Sequence, residues 1–192
     1  MIRTASRSAL IPALLLAGAA CGGDATTSST AGPAEKGATT TSPAAQAPLA
    51  VGDAAPAVTL TLQDGKTVEL ASLKGKQVLV YFYPKDDTPG CTVEAQGLRD
   101  AFTDLQAAGV QVFGVSTQDA KSHEAFIEKH DLPFPLVVDE RGEVARAFRV
   151  PVKGEYAARQ SFLIGADGKV KKVWLDVKPA DHAGEVLAAA RS

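Results

Sequence analysis

Cysteine is scarce in this chain. Its 192 residues hold two, Cys21 and Cys91, which excludes a scaffold stapled by disulfides. No two-cysteine redox motif exists, which disfavours a dithiol reductase. No glycine-rich phosphate loop or dinucleotide fingerprint occurs, no internal repeat is found, and no cofactor is expected. His123, His130 and His182 make no metal-binding spacing with Cys91, so no metal is expected. All three are expected to face solvent or to cap helices. An excess of one charge is lacking too. The net charge of −2 gives no reason to expect a nucleic-acid surface. What remains is ordinary globular material, 45 % apolar and 22 % charged, long enough for one domain with a real core.

The N-terminus differs from the rest. Arg3 and Arg7 precede an apolar run of twelve residues, Ala9 to Ala20, too short for a bilayer core that needs about 20. Position, charge and length read as a secretory signal. Gly18-Ala19-Ala20-Cys21 resembles a lipoprotein processing site, with Cys21 as the lipidated first residue. Gly18 stands where such signals usually carry leucine, and Leu16 lies further upstream. The alternative is ordinary cleavage after Ala20 or nearby. The expectation is an exported protein of the cell envelope or periplasm, lipid-anchored through Cys21.

Gly22 to Ala50 is dominated by Ala, Thr, Ser, Gly and Pro, with almost no large apolar residue before Leu49. Such a stretch cannot bury enough surface to offset its ordering entropy. It reads as a disordered tether with a span of about 30 Å. The expected division is therefore signal 1–20, tether 21–50 and folded domain 51–192.

Within that domain, Val58 to Leu62 alternates as a strand, Gln63 to Lys66 turns, and Thr67 to Leu70 returns. Gln77 to Tyr83 is a continuous apolar run, as expected of a strand covered on both faces. A helix starting near Thr88 carries Leu98, Phe102 and Leu105 on one face and ends at Gly109. Val110 to Ser116 is a second buried strand, and Asp119 to His130 a helix. Leu132 to Val138 is extended, and Gly142 to Phe148 a short helix. Ser161 to Ile164 and Val170 to Leu175 pair across Asp167-Gly168, and His182 to Ala190 closes the chain. Tyr81, Phe82 and Tyr83 are expected in sheet packing and Trp174 on the last hairpin. Ser116 either ends its strand or backs the site. The order reads as an α/β sandwich with an N-terminal hairpin.

One stretch concentrates the chemistry: Phe82-Tyr83-Pro84-Lys85-Asp86-Asp87-Thr88-Pro89-Gly90-Cys91-Thr92. Thr88 suits an N-cap, Pro89 the first helical position, and Cys91 then falls in the first turn. There, unpaired N–H groups and the positive end of the helix dipole favour a thiolate. A free thiol of pKa near 8.5 is only about 3 % ionised at pH 7.

The stretch closely resembles the active-site segment of peroxiredoxins of the bacterioferritin-comigratory, or Q-type, branch. Pro84, Thr88 and Cys91 occupy the positions of that family's proline, threonine and cysteine pattern. The resemblance covers about Ala50 to Ala190. It implies a thioredoxin-like fold, with a mixed central sheet and helices on both faces. It also implies a peroxidase of hydrogen peroxide and organic hydroperoxides, with Cys91 as nucleophile. Thr88 is then expected to accept a bond from the peroxide and donate one to sulfur. The N–H groups near Gly90 and Cys91 would face the incoming oxygens, and Pro84 would cover the thiolate. In Ala158-Arg159-Gln160-Ser161, Arg159 matches the family's arginine, and Glu94 matches the residue that orients it.

The chain departs from the family in one respect. Many Q-type members carry a resolving cysteine five residues after the first, and Gln96 stands there. The resemblance thus implies a one-cysteine enzyme needing an external thiol: a thioredoxin-like protein, a glutaredoxin-like protein or a small thiol. A transient Cys91–Cys91 link between subunits is the less favoured course. A monomer or weak dimer is expected. Two other readings remain: a monothiol disulfide exchanger, and a non-enzymatic envelope lipoprotein that reuses the fold.

Overall fold

The computed structural model describes residues 47–192. The expected signal segment, Cys21 and most of the tether lie outside the described residues.

Two hairpins and one mixed sheet order the domain. β1 (Thr59–Thr61) pairs antiparallel with β2 (Thr67–Glu69), and a 3-10 turn, Leu70–Leu73, follows. The central sheet contains β3 (Gln77–Phe82), β4 (Val110–Ser116), β5 (Leu136–Val138), β8 (Gln160–Ile164) and β9 (Val170–Trp174), in the order β5-β4-β3-β8-β9. β3, β4 and β5 pair parallel, whereas β8 pairs antiparallel with β3 and β9 antiparallel with β8. Between β5 and β8 lies a small hairpin, β6 (Val152–Lys153) with β7 (Tyr156–Ala157). Sequence periodicity gave no sign of it, because two-residue strands are too short to show a period.

The apolar run of β3 is covered on both sides, as its composition required. Side chains alternate across a strand, so Val78, Val80 and Phe82 enter one core cluster and Leu79, Tyr81 and Tyr83 the other. The first face is closed by the N-terminal hairpin and by α4 (Glu143–Ala147), with Phe148 just beyond it. The opposite face is closed by α1 (Pro89–Asp100), α2 (Phe102–Ala107), α3 (Ala120–His130) and α5 (His182–Arg191). The expected mixed sheet with helices on both faces and an N-terminal hairpin is what forms.

Three details differ from expectation. The single helix expected from Thr88 to Gly109 is two, interrupted at Ala101; Leu98 and Leu105 stay buried in the same cluster across the break. The packed chain begins upstream of Val51: Leu49 is buried in the hairpin-side cluster, and Arg149 donates to the Ala47 carbonyl. Trp174 packs edge-on against His182 of α5, with ring centroids 5.5 Å apart.

Candidate active site

The register of the sheet assembles the site. Tyr81 lies opposite Ser161 and Phe82 opposite Gln160. The residue just before β8, Arg159, therefore stands at the sheet end where β3 hands over to the Pro84–Thr88 loop. α1 begins there. Thr88 is its N-cap in extended backbone, with Pro89 in the first turn. The first intrahelical bond runs from the Thr92 N–H to the Thr88 carbonyl. The Gly90 and Cys91 N–H groups are thus among the donors that a helix start leaves free.

Cys91 is 2 % exposed, and Arg159 Nη2 donates to its Sγ at 3.1 Å. The other arm of the same guanidinium, Nη1, pairs with Glu94 Oε2. Residues three apart on a helix share a face, so α1 presents Cys91 and Glu94 together to one arginine. Burial acts against the Arg159 cation, but its contacts with Glu94 and Cys91 outweigh it and raise its pKa above the ordinary arginine value. Glycine at position 90 permits this approach, since a Cβ there would lie 3.2 Å from Arg159 Nη2.

The loop carrying Thr88 is held from behind. Asp86, 6 % exposed, accepts from Tyr83 Oη at 2.7 Å, Ser122 Oγ at 2.6 Å and His123 Nδ1 at 2.9 Å. His123 Nε2 faces the Val137 carbonyl at 3.1 Å. Both ring nitrogens thus face acceptors. Burial alone would raise the Asp86 pKa; the bonds from His123, Ser122 and Tyr83 outweigh it and hold the carboxyl below its usual value. Next to it, Asp87 adopts left-handed backbone (φ 57°). It accepts from His130 Nε2 at 2.9 Å and pairs with Lys129. His130 Nδ1 in turn lies 3.3 Å from the Gln96 amide nitrogen.

Sequence expectations and geometry part at several points. Cys91, Arg159 and Glu94 come together, and Gln96 sits half-buried on α1. Pro84, Thr88 and Gly90 lie on the segment leading into Cys91 and keep partial exposure. The Thr88 hydroxyl is not directed at sulfur: it donates to the Lys85 carbonyl at 3.0 Å and makes no side-chain cap bond. The loop turns back on itself there, which brings the Lys85 carbonyl within reach of the hydroxyl. The expectation that the histidines face solvent is corrected. His123 and His182 are wholly buried, and the His130 side chain is 11 % exposed. Buried carboxylates on other elements draw His123 and His182 inward. His123 meets Asp86; His182 Nδ1 stands 2.9 Å from Glu94 Oε1, an ion-pair distance without the alignment of a hydrogen bond. Sequence reasoning did not single out Asp86, whose neighbours Lys85 and Asp87 are exposed. No spacing rule connects His123 or His182 to the site.

A cavity of about 780 Å³ lies elsewhere, lined by Thr117, Asp119, Arg141 and Arg146 among others. A peroxide brings two oxygen atoms to a sulfur and needs no space on that scale.

The AhpC/TSA family model matches residues 51–173. Peroxiredoxin Bcp of Escherichia coli is 45 % identical over 147 residues, covering 73 % of this chain and 94 % of that protein. The chain is a peroxiredoxin of the bacterioferritin-comigratory, or Q-type, branch. Chloroplastic peroxiredoxin Q of Oryza sativa subsp. japonica is 41 % identical over 144 residues, covering 73 % of this chain and 66 % of the longer plant protein. Among solved structures, peroxidoxin BcpB from Mycobacterium tuberculosis superposes with a TM-score of 0.69 at 31 % identity, covering 74 % of this chain and 97 % of that one. This peroxiredoxin is accordingly a thiol-based peroxidase with a thioredoxin-like fold, reducing peroxides through a cysteine. Among the described residues Cys91 is the only cysteine.

Proposed function

We propose that Cys91 is the nucleophile of a one-cysteine cycle completed by an external thiol. The observation that carries this reading is the 3.1 Å contact between Arg159 Nη2 and Cys91 Sγ. A fixed cation at that distance favours thiolate over thiol and lies where charge on a departing oxygen would be stabilised. The thiolate attacks one peroxide oxygen, and the O–O bond breaks. Sulfur becomes sulfenic acid, and hydroxide or alkoxide leaves and takes up a proton. A reductant thiol then displaces the sulfenic hydroxyl as water and forms a mixed disulfide. A second thiol attacks that disulfide and returns Cys91 to its reduced form.

Glu94 fixes the arginine in this scheme, Pro84 screens the sulfur from bulk water, and the free N–H groups of Gly90 and Cys91 receive the peroxide. Thr88 acts through its hold on the loop, since its hydroxyl proton is engaged by the Lys85 carbonyl. Gln96 at the usual resolving position supports an intermolecular second half-reaction. Steady-state peroxide turnover against thioredoxin-like, glutaredoxin-like and small-molecule thiols tests this. At least one should sustain turnover, with a mixed disulfide trapped at Cys91. Turnover without any added thiol would refute it.

We further propose export and lipid anchoring at Cys21, on the charged and apolar N-terminus and the small residues before that cysteine. Intact-mass analysis of membrane-extracted protein should show lipid on Cys21. An unmodified mature N-terminus downstream of it would refute the anchor.

A further inference from the structure

His182 opens α5 and is wholly buried. The reaction as described makes no use of it. Its Nδ1 stands 2.9 Å from Glu94 Oε1, while Glu94 Oε2 takes the Arg159 guanidinium, whose other arm reaches Cys91 Sγ at 3.1 Å. The four side chains form one line from α5 through α1 and the head of β8 back to α1. The imidazole packs T-shaped against Trp174, and Nε2 has no partner among the described residues. A buried polar atom left unbonded is a standing cost. A residue needed only for bulk at this place would be apolar.

We infer that His182 is a positioning residue for the thiolate's counter-cation. Glu94 is a flexible side chain, fully buried and wedged between two partners. Held at Oε2 alone, it would follow the arginine. Faced at Oε1 by a ring from another helix, it becomes a fixed point against which the guanidinium is set. With a proton on Nδ1, electrostatic attraction to the carboxylate does not need hydrogen-bond alignment to act at this range. The consequence is that α5, remote in sequence, helps set the angle at which Arg159 meets Cys91.

This inference rests on Cys91 as the oxidised atom, and the test separates the two. The readout is the second-order rate constant for peroxide oxidation of reduced Cys91 in the folded protein. His182→Leu keeps bulk without the donor and should lower the rate about tenfold, whereas His182→Asn, whose amide nitrogen sits near the Nδ1 position, should stay within about threefold of native. In a Glu94→Gln background, His182→Leu should cause no further loss, because the two act in series. Where His182→Leu fails to fold, His182→Gln, with its amide carried past the Nδ1 position, serves with the same expectation. Equal losses in the Leu and Asn variants, or losses that multiply in the double variant, would overturn the inference. Native speed in His182→Leu with an inactive Cys91→Ser variant would overturn it alone. Activity retained by Cys91→Ser would instead remove the reading beneath it.

Discussion

Replacing Arg159 with glutamine removes the one cation among the described residues that touches the sulfur. In the native site Nη2 meets Sγ at 3.1 Å and the Arg159 side chain is 20 % exposed, so solvent does little to replace the contact. A hydrogen bond to a charged group contributes about 1.5–3 kcal/mol, which converts to a rate loss of about 10- to 150-fold if it acts in the transition state. Arg159→Lys sharpens the test. One ammonium cannot span both Glu94 and Cys91 as the two arms of the guanidinium do, so lysine should fall between glutamine and native. The assay is a single turnover. Reduced protein is mixed with limiting hydrogen peroxide, quenched with an alkylating agent at intervals, and the oxidised fraction of Cys91 is read by mass spectrometry. Glutamine also leaves Glu94 with one partner fewer, so a stability loss of about 1–3 kcal/mol should accompany the rate loss. A glutamine variant that unfolds cooperatively yet reacts within about threefold of native would refute the role given to Arg159.

The loop behind the site makes a separate set of claims. Asp86→Asn breaks a buried pair with His123 and should cost about 3–5 kcal/mol, read from urea unfolding at neutral pH. The Asp86 pKa is held below its usual 3.8, so its contribution is present above that value and lost as pH falls through the folded-state pKa. The native-minus-variant difference should therefore shrink below about pH 4, and a gap that stayed constant there would contradict the assignment. Gly114→Ala should destabilise by about 1–3 kcal/mol through overpacking, because a Cβ there would lie 2.6 Å from Leu136 Cδ2 and 2.7 Å from the Tyr81 ring. An unchanged melting temperature would show that Tyr81 and Leu136 can give way.

Much of the fold was legible because the pattern was local. The run from Gln77 to Tyr83 had to be covered on both faces, and the alternation of its residues into two clusters is that requirement met. Helix ends marked by Asp119 and Gly109 were likewise visible, since capping chemistry lies in a few adjacent residues. The break at Ala101 was not, because an apolar face continues through it. Within the site, the Thr88-Pro89-Gly90-Cys91 helix start could be read from capping rules. The meeting of Cys91 with Arg159 could not, because it depends on the antiparallel register of β3 and β8, which no short-range signal encodes. The histidines show the same limit from the other side. Their polarity suggested solvent, yet Asp86 and Glu94, buried on other elements, face His123 and His182 inside the fold.

The central claim is that one sulfur, Cys91 Sγ, takes the peroxide oxygen. The direct measurement adds one equivalent of hydrogen peroxide to fully reduced protein and follows peptide mass with a sulfenic-acid trap, beside peroxide consumption by a Cys91→Ser variant. The account predicts a trapped sulfenic acid at Cys91 in step with peroxide loss, and no consumption by the variant above the buffer. Peroxide consumed while Cys91 stays reduced, or consumed equally by the serine variant, would contradict it.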